Sequence, residues 1–375
     1  MKVVLEKAKI KGLGEMGFTI GGGVINWFPG HMAAATRAIR DRLKLADLVI
    51  EVRDSRIPLS SANVDLQPLI SGKKRVLALN KSDLANHNLM PKWVEYFSSR
   101  GLDCLPVNSH HKNSVNQLLE LVKWKLKEKI SREPTLLVMV VGVPNVGKSA
   151  MINSIHQIAL SGFHGDAQGR TKRATVGPLP GVTQDIAGFK IGHQPSIYVL
   201  DTPGVLVPSI PDIETGLKLA LAGSVKDSVV GEERIAQYLL AVLNSRGTPL
   251  LWKQSVNKKA ATTQPENPNY SIKNLLPKKR PQNTSDVLYI ENVVTRVQQA
   301  LHSTLSEFNG NLEDEDDLEE LIEQQFEALQ RALKIPHTSS EARLMVSKRF
   351  ITLFRTGKLG DFILDTLPDV SKGTS

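Results

Sequence analysis

The chain has 375 residues, 41% of them hydrophobic, enough for two domains with sizeable cores. Its net charge of +9, at a pI near 9.4, suits a polyanionic partner. Cys104 is the only cysteine, which excludes an intrachain disulfide and a four-cysteine zinc cluster and points to a reducing interior; no apolar run approaches the roughly eighteen residues of a transmembrane segment.

Residues 1–24 read as an N-terminal extension. It holds Lys2, Lys7, Lys9 and Lys11, but also Glu6 and Glu15 and no arginine, a poor composition for a transit peptide. A nucleotide-type domain is expected over 25–206. It opens with Trp27-Phe28-Pro29-Gly30-His31-Met32, then helix Met32–Ala46 and strand Asp47–Val52. A loop with Asp54 and Arg56 follows, then strand Val76–Leu79, a helix near Pro91–Ser99, strand Leu105–Val107 and helix Ser114–Ile130. Pro134 marks a seam before strand Leu136–Val141, the helix from Lys148 to Ile158 and strand Ser196–Leu200. The alternation predicts an α/β domain with a mainly parallel sheet and helices on both faces.

Three motifs sit at the strand ends. Asn80-Lys81-Ser82-Asp83 reads as a guanine-specificity motif: the Asp83 carboxylate offers two acceptors to the N1–H and N2–H₂ donors of guanine, a donor pair that adenine lacks. Asn80 and Lys81 would brace that loop, and Asn108-Ser109 occupies the place where a backbone N–H meets the guanine O6. Gly142-Val143-Pro144-Asn145-Val146-Gly147-Lys148-Ser149 fits the phosphate-binding loop between a strand and a helix. Its glycines let backbone N–H groups face a phosphate, and the helix N-terminus adds a favourable dipole. Pro144 to Ala150 would line the nucleotide, with Val146 and Gly147 in the curl. Lys148 would reach the β/γ oxygens as a catalytic group, and the Ser149 hydroxyl would ligate Mg²⁺. Asp201-Thr202-Pro203-Gly204 supplies a second Mg²⁺ carboxylate and, at Gly204, an N–H for the γ-phosphate. Thr183, in Pro180-Gly181-Val182-Thr183, is the candidate switch threonine over Mg²⁺.

The motifs are complete, but the base motif precedes the phosphate loop. The expected fold is therefore a circularly permuted P-loop GTPase domain binding GTP/GDP, followed by an α-helical C-terminal domain. Val205 stands where many GTPases have the glutamine that orients water. Asn145 is one compensating candidate, through a K⁺ ion beside the phosphates, or else a loop brace. His31 is another, against the plain reading of a residue at a helix start.

Beyond Val205 helical patterns dominate. Residues 207–252 read as the start of a helical domain, 253–285 as a polar linker or insertion, and 286–375 as a helical, rRNA-binding region. The expected helices are Thr215–Ala222, Glu232–Leu243, Val287–Ser306, Leu318–Leu333 and Ser340–Phe354. Eight carboxylates between Glu313 and Glu323 contain no Lys or Arg, so the rest of the chain carries +9 + 8 = +17. That run reads as a solvated helix start, or else as a contact for a basic ribosomal protein. Basic clusters lie at Lys73–Arg75, Arg170 with Lys172 and Arg173, Lys278–Arg280, and Arg343 to Lys358.

Asn26 to Met32, Asp54-Ser55-Arg56-Ile57-Pro58, the rotated motifs, and Gly216–Ala220 with Ser224–Ser228 resemble the YlqF/RbgA family, in its mitochondrial ribosome-associated branch. The likeness covers roughly residues 25–250 and resumes near Arg355-Thr356-Gly357-Lys358. It implies a GTPase that matures the large ribosomal subunit, with the large subunit and its rRNA as partners. It also implies a mitochondrial location, in the matrix or peripheral on the inner membrane, and a water-orienting role for His31. Ser55 stands where the family usually has Ala, and the stretch Ser161–Val176 before Thr183 is long. Two alternatives stay open: a nucleotide-gated RNA-binding scaffold whose hydrolysis is incidental, and a ribosome-assembly GTPase of another compartment.

Overall fold

The computed structural model describes residues 25–26, 37, 39–162, 187–193, 196–202, 209–210, 212–252, 284–336 and 341–368. Its described residues fall into two compact units. One holds those up to Val230 together with those from Gly360 onward; the other holds those within Gly231–Leu359.

The strands of the first unit are β1 (Ile25–Asn26), β2 (Leu48–Asp54), β3 (Arg75–Asn80), β4 (Asp103–Pro106), β5 (Thr135–Val141), β6 (Ala187–His193), β7 (Ser196–Asp201) and β8 (Ser209–Ile210). Six of them form one sheet in the order β4-β3-β2-β5-β7-β6. Every neighbouring pair is parallel except β6 with β7. The expected α/β sheet is thus present, with an antiparallel edge strand that the sequence reading did not contain. Strands β1 and β8 make a separate antiparallel pair.

The helices of the first unit include α1 (Gln67–Ile70), α2 (Met90–Ser98), α3 (Lys112–Ile130), α4 (Lys148–Gly162), α5 (Ile213–Leu221) and α6 (Asp227–Val230). Strand β2 is buried along its whole length, as a central strand covered on both faces must be. The register puts Val49 beside Met139, Glu51 beside Leu77 and Arg53 beside Leu79, so these side chains share a face. That face carries one apolar cluster around Ile39, Val49, Ile70 and Met139 and another around Leu77, Leu79, Trp93 and Phe97. It also carries a buried ion network. Arg53 lies 2.7 Å from Glu51 and stacks over Phe97, and Arg75 reaches Glu51 at 3.2 Å. The alternate residues Ile50, Val52, Val76, Ala78, Val138 and Val140 are equally buried and point the other way. Each fully buried aliphatic side chain contributes about 1.5–3 kcal/mol.

The second unit contains α7 (Glu232–Ser245), α8 (Thr284–Glu307), α9 (Glu315–Ala332) and α10 (Ala342–Arg355). The acidic run begins α9: Asp314 caps it by accepting from the Asp316 and Asp317 N–H groups, and Glu315, Asp316 and Asp317 occupy the first turn. Negative charge is favoured there by the helix dipole. Gly357, at φ 70°, ends α10: Lys358 N–H donates to Leu353 O at 2.9 Å and Gly357 N–H to Phe354 O at 3.0 Å.

The sequence boundary at 206 differs from the division seen in the structure. Helices α5 and α6 group with the nucleotide unit; Leu217, Leu219, Ala220 and Leu221 of α5 are buried, and Ala222 O accepts from Arg56 Nη2 at 3.4 Å. The chain end also departs from the expected 286–375 block, since residues from Gly360 onward group with the first unit.

Candidate functional site

The site lies at the C-terminal ends of parallel strands, where open α/β sheets hold their ligands. The phosphate-loop residues join β5 to α4. Gly142 sits at φ +154°, and a Cβ there would stand 2.3 Å from Val52 O. Gly147 sits at φ +95°, with the same distance to Asn80 Nδ2. Asn145 adopts the left-handed region at φ 58°, which Asn tolerates better than most side chains. Lys148 is buried and donates to Val143 O at 3.0 Å. Burial pushes its ammonium down to about 8, against the pull of the Asp201 carboxylate.

The Ser149 hydroxyl donates to Asp201 Oδ2 at 2.9 Å. Asp201 Oδ1 is buried and has no hydrogen-bond partner among the described residues. Burial raises the Asp201 carboxyl, opposed by Lys148 and Ser149. A buried carboxylate oxygen without a donor, next to a hydroxyl, is a donor set that suits a divalent cation.

Asn80 connects the two halves of the site. Its Nδ2 donates to Val146 O at 2.7 Å, while its Oδ1 accepts from Ser109 N at 3.1 Å and Ser109 Oγ at 2.7 Å. One side chain thus joins the base loop, the phosphate loop and the Asn108-Ser109 turn. Lys81, left-handed at φ 59°, donates to Asn145 O at 2.6 Å. Ser82 N–H donates to Val107 O at 3.1 Å, opening a short 3₁₀ turn, Ser82–Leu84, that leaves Asp83 exposed. Asn108 Oδ1 accepts from His110 N–H at 2.8 Å and fixes the turn after β4. Asn145 Nδ2 donates to Gly223 O at 3.3 Å, and Ala150 lies in the first turn of α4.

The structure therefore gathers Asn80, Lys81, Ser82, Asp83, Asn108, Ser109, Pro144 to Ala150 and Asp201 at one end of the sheet. His31, Thr183 and Gly204 lie outside the described residues, as do Arg170, Lys172, Arg173 and Lys278–Arg280. Of the other basic clusters, Lys73 donates to Lys44 O and Ala46 O, Lys74 pairs with Glu128, and Arg75 with Glu51. Arg343 pairs with Glu233 and Glu323, and Lys348 with Glu232. No described helix is long and apolar enough to cross a membrane.

One element of the site escaped reading from the residues alone. Asp54, at the end of β2, is fully buried and receives Arg56 Nε at 2.9 Å and Arg56 Nη2 at 2.8 Å. Lys81 Nζ lies 3.0 Å from its Oδ2. Burial alone would raise this carboxyl, but Arg56 and then Lys81 hold it well below the usual carboxylate range. The available signal was an acidic residue ending a strand whose neighbour, β3, ends in the base motif.

A family model described as 50S ribosome-binding GTPase matches residues 137–278. Short integuments 2, mitochondrial, of Arabidopsis thaliana is 66% identical over 98% of this chain and 96% of its own length. DAR GTPase 2, mitochondrial, of the same plant is 40% identical over 92% of each. Ribosome biogenesis GTPase A of Bacillus licheniformis is 37% identical over 59% of this chain and 75% of its own. Among solved structures, GNP-bound YlqF from T. maritima overlays 87% of this chain and 95% of its own, with a TM-score of 0.48 at 20% identity.

Proposed function

The chain belongs to the circularly permuted GTPases of the YlqF/RbgA family, and on that premise we propose that it is a GTP-hydrolysing assembly factor for the large ribosomal subunit of mitochondria. The observation that carries the nucleotide site is the Asn80 side chain, bonded at once to Val146 of the phosphate loop and to Ser109. It supports reading the rotated motifs as one site.

In this reading Asp83 reads guanine, Lys81 braces the base loop, and Ser109 stands beside the guanine O6. Backbone N–H groups from Asn145 to Ser149, continuing into Ala150, cradle the phosphates. Lys148 releases Val143 O and reaches the β/γ oxygens, where the phosphate charge would favour its ammonium form. Mg²⁺ would neutralise the developing phosphate charge, with Ser149, Asp201 and Thr183 as its holders. Asn145 would offer a K⁺ ion its side-chain oxygen while its nitrogen stays on Gly223. Gly204 would donate to the γ-phosphate. Val205 holds no water, so the orienting role falls to His31.

The relatives' names carry the words mitochondrial and ribosome biogenesis, and the net charge of +9 suits an rRNA partner. The test is GTP turnover in K⁺ buffer with no ribosome, with mitochondrial large subunits, and with small subunits. Stimulation by large subunits alone is expected, and His31→Ala should remove it. Tight GTP binding without stimulation by either subunit would overturn the reading in favour of a scaffold.

A further inference from the structure

Beyond α10 the chain leaves the helical unit, and residues 360–368, in neither helix nor strand, group with the nucleotide unit as a strap. Two backbone bonds fasten it: Phe362 N–H donates to Leu84 O at 3.3 Å, and Leu364 N–H donates to Arg56 O at 2.7 Å. Leu84 is the residue after Asp83. Ile363 is buried in the apolar cluster of Leu77, Leu79, Ala85, Met90 and Trp93, with Leu367 packed against it.

Asp365 makes the densest contact. Its Oδ2 accepts from the N–H groups of Leu59 at 2.7 Å and Ser60 at 2.9 Å, and its Oδ1 from Ser60 Oγ at 2.6 Å. Lys218 Nζ lies 3.5 Å from Oδ1. The turn so pinned is the one that presents Asp54 to Lys81. It is also tied by Ser61 Oγ, accepting from Asp54 N–H at 3.1 Å, and by Pro58 O, accepting from Arg53 at 3.0 Å.

We propose that the strap, through Asp365, is a positioning element of the guanine-reading motif. It holds the base loop from two sides: directly at Leu84, and through the 54–61 turn at Lys81. The sheet core alone does not explain this arrangement. A carboxylate that served only to cap a surface turn would not need a flanking backbone bond to the base loop. The inference rests on the reading of Asn80–Asp83 as the guanine motif.

The experiment compares Kd values for GDP and for inosine diphosphate, which lacks the 2-amino group that Asp83 would bind, on the full chain. Asp83→Asn comes first: it should collapse the ratio of the two Kd values, and if it does not, the motif reading fails and the inference falls with it. Given that collapse, Asp365→Ala should weaken GDP binding roughly tenfold and narrow the ratio, because a displaced motif loses its selective contact. Asp365→Asn, which keeps an acceptor oxygen, should fall between Ala and wild type. A lowered melting temperature with an unchanged ratio would overturn the proposal, since a merely structural tie weakens both ligands alike. If Asp365→Ala does not fold, Ser60→Ala removes one of the four contacts. A ratio left at the wild-type value in Ser60→Ala and Asp365→Asn together would likewise overturn it.

Discussion

The Asp54 carboxylate and the Lys81 ammonium stand 3.0 Å apart, with Asp54 fully buried. A buried carboxylate persists as an anion only when its attraction to nearby cations exceeds its desolvation cost, and Arg56 and Lys81 together achieve this. Removing the carboxylate takes from buried Arg56 the ion pair made through its Nε and Nη2. Asp54→Ala should therefore cost about 3–5 kcal/mol, read by urea unfolding of the nucleotide unit. The pH dependence has a definite sign. The folded-state value is depressed, so this stability is fully present above the unfolded value of about 3.9 and is lost only as pH falls below it. The deficit of Asp54→Ala should be equal at pH 7 and pH 5. A deficit that shrinks across that window would contradict the ion pair.

At Gly147 the phosphate loop runs close against the base motif. An added Cβ would stand 2.3 Å from Asn80 Nδ2, on a backbone at φ +95°. The contact is not the end of a flexible chain, because Asn80 is held at Val146 and Ser109. Gly147→Ala should displace Asn80 and weaken GDP binding by about a hundredfold, with the circular dichroism of the fold retained. Wild-type affinity would mean that Asn80 does not hold the two loops in register.

These two positions show what the sequence could and could not announce. Gly147 was legible because a phosphate loop requires a glycine at that spacing whatever the fold around it. The parallel strands were legible for a similar reason: apolar runs such as Leu136–Val141 end in motif residues. Glu51 and Arg53 sit inside such a run, but no local pattern says that their charges are buried against each other and Arg75. Strand β6 escaped because Gly188 and Gly192 dilute its alternation. Asp365 was illegible for a different reason. Its partners Leu59 and Ser60 lie about 300 residues away in sequence, and neither end carries a motif.

Ser55 lies between Asp54 and Arg56, and its hydroxyl is buried with no hydrogen-bond partner among the described residues. Such a group carries a desolvation cost with nothing to offset it. Ser55→Ala should be neutral or stabilising, by up to about 1 kcal/mol in urea unfolding. A loss of stability would show that the hydroxyl has a partner, and that the turn is built around it.

In the helical unit, Asn244 of α7 and Gln325 of α9 exchange two hydrogen bonds. Asn244 Nδ2 donates to Gln325 Oε1 at 2.9 Å, and Gln325 Nε2 donates to Asn244 Oδ1 at 2.8 Å. Both residues are buried, so each amide depends on the other for its partners. Replacing one strands its partner amide in an apolar setting, whereas replacing both removes the unmet groups. Asn244→Leu alone and Gln325→Leu alone should each cost about 1–3 kcal/mol, while the double variant should recover most of that loss. Native-state hydrogen exchange of α7 and α9 measures it within this unit, without assuming that the two units unfold together. Simple addition of the two single losses would mean that the amides act independently, and that another contact sets the register of the two helices.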